Sequence, residues 1–137
     1  MVFEVEHSLD KHLKNRSELK RIIDEKLKGR IDWKTKHIRI IANLYKRFLK
    51  TKVDELLESD AAFYKLICPY YTYGYYTNLV SSICISRIEC KLGMITTDEF
   101  IDALNVPDRD GDSYQRHERV GYNKEFTEWA VKNSELI

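Results

Sequence analysis

Between Asp32 and Glu58 the apolar residues return at helical intervals. Ile38, Ile41, Leu44, Tyr45, Phe48, Leu49 and Leu56 fall on one broad face of a 3.6-residue wheel. Asp32 suits the N-cap, so the spacing predicts a helix over about 33–58. At 1.5 Å per residue it is roughly 39 Å long, about the diameter of a domain of this size. A chain with such an element has to arrange its other segments around that one rod.

Those segments read as helices too. Ser17 to Gly29 looks like a complete helix with Ser17 as N-cap, Gly29 just past the end, and Leu19, Ile22, Ile23 and Leu27 on one face. Leu9 and Leu13 extend it backwards or form a short helix capped by Ser8. Ser59 or Asp60 opens a short helix, Ala61 to Ile67, that Pro69 stops. A tyrosine-rich joint, Tyr70 to Tyr76, leads to a helix over about 75–92 that is apolar nearly all round and reads as central and buried. Gly93 ends it. Thr96 with Glu99 offers a capping box for a helix reaching Leu104, and Asn123 caps a last one carrying Phe126, Trp129 and Ala130.

Only 5 Gly and 2 Pro occur in 137 residues, which argues against turn-rich all-β folds, and no strand pair stands out. A 43% hydrophobic content is enough for a core and too high for a disordered tail. The expected fold is all-α: a compact bundle of five to seven helices forming a single helical domain over 1–137.

The N-terminus carries Glu4 and Glu6 without an apolar run, so it does not read as a signal peptide. No stretch is long and apolar enough for a membrane span. Cys68, Cys84 and Cys90 are odd in number and form no C-x-x-C pair, as expected of reduced thiols in a cytoplasmic protein. The excess of Lys over Arg, with abundant Ile and Tyr, suits an AT-rich genome such as those of many phages.

The formal charge of +1 conceals a segregation. Residues 11–52 hold 15 Lys/Arg against 4 Asp/Glu, while residues 53–137 hold 8 against 15. On the long helix Lys36, Arg39, Lys46, Arg47 and Lys50 fall within about 100° of the wheel, opposite the apolar arc, with Asn43 among them. Three readings fit such a row. It is a solvated face partly neutralised by Glu18, Asp24 and Glu25; a surface that tracks nucleic-acid phosphates without reading bases; or a docking face for an acidic protein surface, a second copy included. Tyr70, Tyr71 and Tyr73 supply aromatic rings for stacking on bases or anchoring a protein partner, or else pack a helix corner. Arg87, on the helix expected to be buried, requires an acidic or tyrosyl partner.

Enzyme motifs are sparse. The loop Asp108 to His117 gathers Asp108, Asp110, Asp112 and His117, which suggests a metal-dependent nuclease. As a calcium loop it fails, with Gly at the fourth position and Arg119 at the twelfth. Arg30-x6-His37 resembles the Arg/His spacing of the all-α HEPN ribonucleases, but Ile31 stands where that family has a polar residue, and the pair lies early in the chain. No activity is carried over from two residues. The expectation is a non-enzymatic binding protein without cofactor or metal that acts on nucleic acid or a nucleoprotein complex, of the kind that serves phages and mobile elements as regulator or inhibitor. The alternative is a self-associating or protein-inhibiting module whose basic and acidic halves meet.

Overall fold

A computed structural model describes residues 2–67, 77–104 and 124–137. The protein is all-α, as expected, and no strand occurs among the described residues. Among the described residues six helices follow in order: α1 (Val2–Lys26), α2 (Trp33–Glu58), α3 (Asp60–Ile67), α4 (Thr77–Lys91), α5 (Thr97–Leu104) and α6 (Lys124–Lys132). A 3-10 turn, Ser134–Leu136, closes the chain. The chain divides into two compact units, Met1–Phe48 with Asp108–Ile137, and Leu49–Pro107. Helix α2 contributes to both.

In the first unit α1 packs along α6, and Leu19, Ile23 and Leu27 of α1 are buried. Of the alternatives open before Ser17, the backward extension is the one that occurs: α1 runs on from Val2, and Ser17 is an exposed residue within it and not its N-cap. Capping residues mark a helix start only where the preceding chain leaves helical geometry, and no Gly or Pro precedes Gly29. Gly29 does end α1, in the left-handed region at φ 80°. From α2 the first unit receives an aromatic cluster. The Tyr45 and Phe126 rings meet edge-on at 5.3 Å, Phe48 and Phe126 at 5.6 Å, and Phe48 and Trp129 lie 5.8 Å apart. These offset and edge-on geometries are the ones that aromatic quadrupoles favour.

In the second unit Leu49 and Leu56 of α2 are buried, as are Phe63, Leu66 and Ile67 of α3 and Phe100, Ile101 and Leu104 of α5. Short-range chemistry sets each junction. The Ser59 hydroxyl accepts the Ala62 N–H at 3.1 Å and so caps α3. The capping box at α5 is complete. The Glu99 N–H donates to Thr96 Oγ1 at 3.1 Å, and the Thr96 N–H donates back to Glu99 Oε1 at 3.2 Å. At the end of α4, Met94 N–H reaches Glu89 O at 2.8 Å and Gly93 N–H reaches Cys90 O at 3.1 Å, with Gly93 at φ 75°. That pair of bonds around a left-handed glycine is the Schellman motif.

Helix α4 does not have the all-round burial expected over 75–92. Val80, Ile83, Arg87 and Cys90 form its buried face, while Ile85, Ile88 and Leu92 on the far side are 55–69% exposed. A wheel apolar all round cannot show which arc finds neighbours; packing against α5 selects one.

Arg87 is 7% exposed, and its partners come mainly from the backbone. Its Nε donates to Leu56 O at 2.8 Å and its Nη2 to Leu57 O at 3.1 Å, capping the last turn of α2. Its Nη1 lies 2.7 Å from Asp60 Oδ1, and the guanidinium stands 4.7 Å from the Phe63 ring centroid. The acidic partner expected from sequence is therefore present, beside two carbonyls that sequence does not foretell.

Arg87→Ala is expected to cost about 3 kcal/mol, because it leaves two helix-end carbonyls without their charged donor. Asp60→Asn is expected to cost below about 1 kcal/mol, since the Asp60 side chain is 73% exposed. Chemical denaturation of both variants checks this ordering. Gly93→Ala is expected to cost about 1 kcal/mol, all of it backbone strain, because an added Cβ at Gly93 meets no atom within 4 Å. Thermal unfolding of that variant measures it.

Candidate nucleic-acid interface

The cationic row is placed by the core behind it. Ile41, Leu44, Tyr45 and Phe48 are buried, so the opposite arc of α2 is turned to water. On that arc Arg39, Asn43, Arg47 and Lys50 are exposed, and Lys36 and Lys46 are half-buried. From Lys36 to Lys50 the row runs roughly 21 Å along one continuous helix. Lys36, Arg39, Lys46 and Arg47 belong to the first unit, and Lys50 lies on the stretch of α2 assigned to the second.

Two local features fix where the row begins. Gly29 turns the chain out of α1, and the Asp32 carbonyl accepts the Lys36 N–H at 3.1 Å, starting α2. The Asp32 carboxylate is gripped by Arg30, Nε to Oδ1 at 2.9 Å and Nη2 to Oδ2 at 3.2 Å. The Arg30 hydrogen bonds hold this carboxyl below its ordinary value, with the charge of Lys36 adding to the effect. At neutral pH the carboxylate is ionised and already paired.

Among the described residues, no salt bridge joins an acid of α1 to Lys36, Arg39, Arg47 or Lys50. Glu18 is engaged by Arg21 of its own helix at 2.6 and 3.1 Å, which lowers the Glu18 carboxyl. Among the described residues, Lys36, Arg39, Arg47 and Lys50 form no salt bridge. Like charges at this spacing repel one another, so a ligand that brings negative charge at a matching pitch relieves a standing cost.

Other expected groups fall elsewhere. Tyr70, Tyr71 and Tyr73, and the Asp108 to His117 loop, lie outside the described residues. Tyr64 is exposed on α3, its ring 5.7 Å from that of Phe63. Arg30 and His37 are not arranged as a catalytic pair: Arg30 is bound to Asp32, and His37 sits half-buried on α2. Among the described residues no three His, Cys, Asp or Glu gather where a metal would bind. Burial pushes the Cys90 thiol above its ordinary value, and the charge of Glu99 adds to this, which makes it a poor nucleophile. No helix among the described residues is long and apolar enough to cross a membrane.

One residue escaped the sequence reading. Trp33, at the first position of α2, is 42% exposed and lies beside the start of the row, with the Lys34 ammonium 5.7 Å from its ring centroid. The available signal was its place three residues before Lys36, which puts both on one side of the helix. Compared with known proteins, the chain matches no protein-family model, no curated protein and no solved structure.

Proposed function

We propose that the protein is a binding protein for a nucleic-acid backbone, contacted through the α2 row Lys36, Arg39, Lys46, Arg47 and Lys50. The observation that carries this reading is a line of cations on the arc opposite a buried face, four of them without a salt bridge among the described residues. Ammonium and guanidinium groups at helical pitch displace counterions from phosphates and carry no base code. Such binding requires no catalytic group, and it fits a small regulator or inhibitor that occupies nucleic acid or a nucleoprotein complex.

Two forces compete in this surface. Packing holds α2 with its apolar arc inward, and that fixes the cations on one side despite their repulsion. Exposed charge of this kind adds little to fold stability and much to encounter with a polyanion. The row is therefore read as a surface held for a ligand.

A fluorescence-anisotropy titration with labelled duplex DNA at rising salt tests it. The logarithm of affinity is expected to fall linearly with the logarithm of salt concentration, with a slope of about −4 when the row engages. Arg39→Ala and Arg47→Ala are each expected to weaken binding across sequences and to reduce the slope by about 1, with helix content unchanged. Absence of binding at low salt eliminates the reading. A salt-sensitive oligomer in sedimentation would instead assign the row to the acidic half of a second copy.

A further inference from the structure

We infer that the outer face of α4 is a self-association surface, on which the stripe Ser81, Ile85, Ile88 and Leu92 packs against the same stripe of a second copy, with the two helices parallel. This surface is independent of the cationic row.

The stripe is what packing leaves over. Val80, Ile83, Arg87 and Cys90 turn one arc of α4 into the second unit, and α5 packs against the helix. On the far arc Ile85, Ile88 and Leu92 are exposed, and so is Met94 just past the helix end. Exposed fractions of 55–69% on four residues of about 200 Å² each leave roughly 500 Å² of such surface per copy. Single exposed apolar residues are ordinary, whereas several along one helix mark an interaction surface. Two copies face to face cover about 1,000 Å² before any polar rim is counted, which is the area a specific dimer needs.

The spacing suits a helix as the occupant. From Ser81 the stripe advances by four, three and four residues, so its members stay within about 60° of one another on the wheel. That alternation lets the side chains of two helices interdigitate along a shared seam. No charged residue stands on the stripe between Ser81 and Leu92. The helix is already formed and held by its core, so association orders little besides these side chains.

The charges beside the stripe favour a second copy and set its direction. Glu89 lies about 70° to one side of the seam and Lys91 about 90° to the other. Residues two apart on a helix do not face each other, and neither Glu89 nor Lys91 forms a salt bridge among the described residues. A twofold axis along two parallel helices brings the Glu89 flank of each copy against the Lys91 flank of the other. Antiparallel helices would set acidic flank against acidic flank and basic against basic. The face is therefore complementary to itself in the parallel arrangement.

Sedimentation velocity of the full chain from about 5 to 500 µM, in low and in high salt, is the test. A monomer–dimer equilibrium with a Kd on the order of 10 µM is expected for so small an interface. It is expected to persist at high salt, because burial of apolar surface is not screened. Association of the basic half with the acidic half of another copy would instead dissolve as salt rises. Ile88→Asp places a charge in the middle of the seam from both copies and is expected to weaken the dimer about 100-fold or more. Ile31→Asp, at a fully exposed residue outside α4, is expected to leave it unchanged. Glu89→Lys and Lys91→Glu are each expected to weaken it roughly 3- to 10-fold, and the double variant to recover the native value. Circular dichroism confirms the helix content of each variant. A monomer at every concentration, a dimer lost at high salt, native association in Ile88→Asp, or no recovery in the double variant would overturn the inference. The anisotropy titrations decide the phosphate-binding reading separately, whichever of these results is found.

Discussion

A guanidinium bonded to two backbone carbonyls and a carboxylate ties three helices of the second unit together. Arg87 closes the last turn of α2 through Leu56 and Leu57, meets Asp60 at the first turn of α3, and lies over the Phe63 ring. A helix end carries partial negative charge on carbonyls that have no intrahelical donor, so a cation there does double service. Its cost is the desolvation of a charge, which the carbonyls, the carboxylate and the aromatic face together offset. The end of α2 and the start of α3 are thus tied to α4 by one side chain.

The same helix that Arg87 caps carries the cationic row, and the two features are independent. The row owes its orientation to the aromatic cluster of Tyr45, Phe48, Phe126 and Trp129, which fixes the rotation of α2 about its own axis. Once Phe48 points inward, the positions half a wheel away point outward. Neither the charge of the row nor its ligand enters that decision.

Much of this was legible in the sequence, and what was not has identifiable causes. The bounds of α2, the Ser59 cap, the capping box at Thr96 and Glu99, and the turn at Gly93 are local signals, each complete within a few residues, and the structure contains all of them. The start of α1 is ambiguous in sequence because Ser17 and Ser8 both resemble caps in a stretch with nothing to break a helix. The burial of α4 was overstated because apolar residues on every side carry no direction. Arg87 was recognisable as a buried charge, but its carbonyl partners are supplied by the far end of another helix, about 30 residues away in the chain. Trp33 was passed over because a single aromatic residue at a helix start has no periodicity to draw notice.

Helix α2 supplies residues to both compact units, and that shared membership governs how the protein opens. Hydrogen bonds in a helix run four residues ahead, so those around Phe48 and Leu49 have one end in each unit. Local opening of either unit frays α2 from one end and stops in its middle, where the other unit still holds it. Amide protons at the centre of α2 are therefore expected to exchange with solvent more slowly than those at its two ends. The centre of the rod is the part that both units hold.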